Sequence, residues 1–106
     1  MAEDAFRKLF RSRQRFIQAA DDAVDEATRT FSQAKTGQNL RTAAAAARKC
    51  ERAAALYQKA GLGLLAKEQY AAASRYWSLC RDQERARLNQ ERWTAVPTYW
   101  EDDKTA

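Results

Sequence analysis

Asp21, Asp22, Asp25 and Glu26 form the densest grouping of side chains in this sequence that could do chemistry. Four carboxylates this close could hold a divalent cation. At helical spacing they share an exposed face, and a solvated acidic surface is the simpler reading. General acid–base catalysis lacks its commonest base, because the sequence contains no histidine. No glycine-rich loop is present to cradle phosphates. Cys50 and Cys80 are the only cysteines, and two thiols without a histidine make a poor zinc site. The chain is therefore expected not to be an enzyme and to use no cofactor.

The remaining groups are suited to binding. Arg41, Arg48, Arg52 and Lys59 fall within a band of about 40° on one helix face, over a length of about 27 Å. Such a track suits successive phosphates of a nucleic acid. An ordinary solvated face fits it as well, since no aromatic is interleaved to stack bases. A second basic group, Arg7, Lys8, Arg11, Arg13 and Arg15, precedes the acids at 21–26. That order opposes the helix dipole, which favours acids first and bases last. Antiparallel pairing of two such helices, crossing near Gln18, would set each basic half against an acidic half. The alternative is a charge-mixed helix that folds back on its own chain. Tyr99 and Trp100, followed by Glu101, Asp102 and Asp103, either cap the protein or anchor into a partner.

These side chains must be positioned by helices. Alanine occupies 23 of the 106 positions, against three glycines and one proline, so little opposes helix formation. Helices are expected at about 3–35, 40–66 and 69–93, within one domain spanning 1–96, with residues 97–106 as a tail. In the first, Phe10, Ile17, Val24 and Phe31 recur every seven residues, a seam that calls for a partner along most of its length. A turn near 67–69 would leave Cys50 and Cys80 offset by about 7.5 Å along the axis. Two buried thiols are thus expected in place of a disulfide. The formal charge of +5 favours acidic partners or polyanions. No apolar run approaches the roughly 20 residues of a membrane span, and early arginines interrupt any signal-peptide core. A cytoplasmic location with no membrane partner is the expectation.

Tyr57, Ala60, Gly61, Leu64, Tyr70, Ala73, Trp77 and Cys80 are spaced like the large and small residues of a tetratricopeptide-like hairpin. Gly61 and Ala73 would let two antiparallel helices approach closely, with aromatics filling the gaps. The segment 61–80, with Leu64, Tyr70, Ala73 and Trp77 followed by the small Cys80, also resembles the core motif of the ANR/PerC families. It departs from them at Glu68, where glycine is usual, and at Ser74, where alanine is. These families are small transcriptional regulators of enteric bacteria, their plasmids and prophages. The resemblance implies a bacterial or phage-borne regulator that acts by contacting proteins, with Tyr70, Ala73 and Trp77 holding the hairpin.

The expected architecture is all-α: a three-helix bundle with a long first helix on that hairpin, dimeric through the first helix. The expected function is a non-enzymatic protein-interaction module, a small regulator or inhibitor. Contacts would run through Arg41, Arg48, Arg52, Lys59, Arg7, Lys8, Arg11, Arg15, Tyr99 and Trp100. Direct nucleic-acid binding through the same cations is the alternative, and a structural subunit of a larger assembly the next.

Overall fold

The computed structural model of the chain describes residues 2–32 and 40–97. Every element among them is helical: α1 (Ala2–Ser32), α2 (Leu40–Lys59), α3 (Gly63–Leu79) and α4 (Gln83–Ala95). Packing follows chain order, with α1 on α2, α2 on α3 and α3 on α4. The molecule measures 55 × 30 × 16 Å. Contacts also reach past the next helix, Phe31 of α1 meeting Tyr76 of α3 and Glu51 of α2 meeting Asn89 of α4, so the helices are staggered in two offset rows and not laid in one flat layer.

There are four helices where three were expected. The expected turn at 67–69 lies inside α3, and the chain reverses instead at 60–62 and again at 80–82. Both reversals use one device. At the end of α2 the Leu62 amide donates to the Tyr57 carbonyl (2.9 Å) and the Gly61 amide to that of Gln58 (3.0 Å). At the end of α3 the Asp82 amide donates to the Trp77 carbonyl (3.0 Å) and the Arg81 amide to that of Ser78 (3.0 Å). These paired bonds satisfy the last carbonyls of each helix and require a left-handed residue between them. Gly61 supplies it with φ 78°, and Arg81 with φ 62°. Gly61 is thus a helix stop, and not the close-contact residue of a helix pair that its spacing suggested. Arg81 carries a Cβ and gives no such signal. Asp82 then opens α4, its side chain accepting from the Arg85 amide at 3.1 Å.

The two endings are embedded in a longer echo. Ala53, Ala54, Leu56, Tyr57, Ala60 and Gly61 are matched twenty positions on by Ala73, Ser74, Tyr76, Trp77, Cys80 and Arg81. In both copies the first two residues are buried, and so is the aromatic near the end of the helix.

The core is built from alanine and a few aromatics. Ala20, Ala23, Ala53, Ala54, Tyr57, Ala66, Tyr70 and Val96 form one cluster, near the α2–α3 turn. Ala27, Ala46, Ala47, Cys50, Ala73, Trp77 and Ala86 form the other. Alanine loses no rotamer entropy on burial and lets axes approach closely, while the rings fill the space that remains. The heptad seam of α1 is used within the chain over most of its length. Val24 packs on the first cluster, and the Phe31 ring lies 4.9 Å from that of Tyr76 on α3, tilted by 53°.

Candidate interaction surface

α1 has 31 residues and α2 has 20, so at 1.5 Å per residue α1 is longer by about 16 Å. Cross-links fix where the excess lies. Tyr57 donates its hydroxyl to Asp21, and Lys49 reaches both Thr30 (3.2 Å) and Glu26 (3.6 Å). The Lys59 ammonium sits 5.8 Å from the Phe16 ring centre, and Arg13 Nε donates to the Ala60 carbonyl at 2.9 Å. Arg13 therefore marks the level at which α2 stops. The part of α1 preceding it projects past the turn.

On this projection every described side chain from Arg7 to Arg15 is exposed. Leu9 is 70% and Phe10 53% exposed, on the side of α1 that continues its packing face. Arg7, Arg11 and Arg15 recur every four residues on the opposite side, with Lys8 beside them. No described carboxylate forms an ion pair with these four cations. The projection is thus a short amphipathic helix with an open apolar face and a cationic back.

The other expected contact residues are placed differently. Arg41, Arg48, Arg52 and Lys59 are all exposed, but they do not form one free track. α2 has a neighbour on each flank, and its cations lean toward the aromatics on both. Lys59 covers Phe16 of α1. The Arg48 guanidinium lies 5.7 Å from the Trp77 ring of α3, which Arg85 of α4 also approaches at 4.8 Å. Arg52 shares a shallow depression with Lys49, Asp22 and Glu26, where acids surround it. Tyr99 and Trp100 lie outside the described residues.

Of the expected hairpin residues, Tyr57, Tyr70, Ala73 and Trp77 are buried as their spacing implied. Leu64 is not: it is 50% exposed, because the turn at 60–62 puts it in the first turn of α3, facing outward. Cys80 is half-buried at the end of α3. Cys50 and Cys80 form no disulfide. Burial pushes the Cys50 thiol up to about 11, and burial also raises that of Cys80. Tyr57 is raised by burial and by its bond to Asp21, and burial raises Tyr70 and Tyr76 as well. Such groups stay protonated and inert at neutral pH.

The chain matches no family model, curated protein or solved structure.

One constellation has almost no signature in the sequence. Glu51, the single acid of α2, gathers three helices on one oxygen. Its Oε2 accepts from Asn89 Nδ2 (2.8 Å), Trp77 Nε1 (3.3 Å) and an Arg92 guanidinium nitrogen (3.3 Å). Asn89 is fully buried and also donates to the Arg85 carbonyl at 2.9 Å. In the sequence Glu51 is only a neighbour that moderates the nearby arginines. A lone acid in an alanine helix and a lone amide on the inner face of α4 are the available signals. The node ties α4 to α2 and α3. Among the described residues no group of three or more acids, cysteines or histidines is arranged to hold a metal ion, and no helix is long and apolar enough to cross a membrane.

Proposed function

We propose that the protein is a non-enzymatic interaction module that docks another protein on the projecting part of α1. The observation that carries this reading is the exposure of Leu9 and Phe10 beside Arg7, Lys8, Arg11 and Arg15. Large apolar groups on one side of a helix whose other side is cationic suit a partner with an apolar anchor and acidic flanks. A phosphate backbone would use the arginines and leave both apolar side chains unused, which favours a protein. The division of the α2 cations between two aromatic neighbours points the same way. A regulator or inhibitor of bacterial or phage origin is the narrower form of this reading, supported by the resemblance carried by residues 61–80.

The test is photo-cross-linking in source cells, with the reactive group at position 10 or, as a control, at position 52. Position 10 is expected to yield a discrete protein adduct that survives nuclease and about 200 mM salt, whereas multi-phosphate binding weakens by orders of magnitude over that range. An adduct at neither position, or one lost with nuclease, would remove the proposal.

A further inference from the structure

The turn between α3 and α4 runs against its own sequence. Residues 79–83 read Leu-Cys-Arg-Asp-Gln, with no glycine, proline or asparagine to interrupt a helix. Each of the five is acceptable inside one. Yet Arg81 is held at φ 62°, in the left-handed region that a residue with a Cβ disfavours. The matching reversal at 60–62 uses a glycine, which carries no such penalty. Strain therefore sits at the second hinge and not at the first. When Arg81 relaxes to right-handed geometry, α3 and α4 run on as one rod, and α4 leaves its seat on its own chain.

That seat holds α4 by directional bonds more than by apolar area. α4 buries only Ala86 and Asn89 along its length, while Leu88 and Trp93 stay exposed. Ser74 Oγ on α3 donates to the Ala86 carbonyl at 2.9 Å, and Asn89 and Arg92 donate to Glu51 of α2. Asn89 Oδ1 is buried without a hydrogen-bond partner among the described residues. An element with so little buried apolar area opens ahead of the rest of a fold. Once vacated, Ser74, Trp77 and Glu51 form a seat whose hydrogen-bonding pattern matches α4. A second copy of the chain carries the same helix.

We propose that the chain exchanges α4 with a second copy of itself. Arg81 straightens, α3 and α4 form one long helix, and two such helices lie antiparallel with their hinges side by side. Asn89 and Arg92 of one copy then reach Glu51 of the other, so the contacts seen within one chain are remade between two. A short hinge under strain favours this outcome, and the entropy of association opposes it, so the dimer gains with concentration. The α1 projections lie at the 60–62 turn, the end of each chain far from the exchanged hinge. The dimer thus presents two docking surfaces and grips a multivalent partner with avidity. That consequence rests on the surface assigned above; the exchange itself does not.

Refolding the full-length chain tests it. Samples refolded from urea at roughly millimolar and roughly micromolar concentration are brought to one concentration and weighed by light scattering. The concentrated sample is expected to hold a species of twice the 12.1 kDa chain mass that reverts slowly, because each α4 must first unseat. Two hinge variants should move it in opposite directions. Arg81→Gly relieves the turn and lowers the dimerisation constant on the order of ten-fold. Asp82→Ala removes a cap on the Arg85 amide that only the turned form needs, and raises the constant by about as much. Complementation then identifies the exchange. Glu51→Ala and Asn89→Ala chains refolded together regain one intact contact only when α4 crosses between them, so the mixture should yield several-fold more dimer than either alone. The hinge variants leave the seat intact and read out the exchange even where a seat variant does not fold. The proposal is overturned by the absence of dimer from both the native and Asp82→Ala chains, or by a dimer equally abundant in Arg81→Gly. A mixture of folded seat variants no richer in dimer than its components overturns it too. None of these masses depends on Leu9 or Phe10, so the exchange and the docking surface fail separately.

Discussion

Arg81 is a residue in a glycine's place. A non-glycine residue in the left-handed region costs roughly 1 kcal/mol, and Arg81 holds that conformation (φ 62°) to close α3. Arg81→Gly is expected to stabilise the protein by about 0.5–1 kcal/mol in urea unfolding, and Gly61→Ala to destabilise it by about as much. Glu51 is a second position where one residue decides a local outcome. Replacing it with alanine leaves the Trp77 indole without its acceptor and the buried Asn89 amide with the Arg85 carbonyl alone, at an expected cost of about 2–3 kcal/mol. Amide exchange in α4 should accelerate before exchange in α2 does. Titration supplies another reading at this scale. Cys50 and the three raised tyrosines bind their protons more tightly in the folded chain than in the unfolded one. For Cys50 the contribution is complete below the ordinary thiol value of 9.0 and declines as pH rises toward about 11. The melting temperature should fall over that window, and Cys50→Ala should flatten the part of the fall due to the thiol.

The legibility of each helix depends on what ends it. α1 and the start of α2 stand out because their alanines and apolar repeats run without interruption. The stop at Gly61 is visible as a glycine, but its spacing relative to Ala73 suggests a close helix contact instead. The stop at Arg81 has no breaker to announce it, since turns ordinarily advertise themselves through glycine, proline or asparagine. Asp82, with a helix-compatible stretch after it, is the only cue. Without that stop, α3 and α4 merge into one expected helix. The heptad of α1 is legible as a period, yet periodicity does not say who fills the seam. Tyr76 fills it at Phe31 from within the chain. The surface at Leu9 and Phe10 is invisible in the sequence for a related reason, because exposure depends on α2 ending near the level of Arg13. The double change Leu9→Glu, Phe10→Glu should therefore alter stability by less than about 0.5 kcal/mol while abolishing the position-specific adduct.

The whole molecule is thin, 16 Å in its smallest dimension. A molecule this thin has little interior, so its buried positions are mostly alanine and its few aromatics carry much of the packing. Tyr57, Tyr70 and Trp77 bridge neighbouring helices, and each also directs its polar atom to a side chain of an adjacent helix. Trp77→Ala should consequently be the most damaging single truncation, by about 3–5 kcal/mol, measurable as a collapse of the thermal transition. Trp93, half-exposed at 45%, should tolerate alanine far better.

The twenty-residue echo bears on how such a chain can change length. Each of α2 and α3 carries its own terminator, so its boundary does not depend on the helix after it. One helix with its turn behaves as a cassette, and adding one cassette reverses the direction of everything downstream. Adding two restores the direction and lengthens the array by two helices. Chains built on this plan can therefore grow or shrink in pairs and keep the final helix pointing the same way.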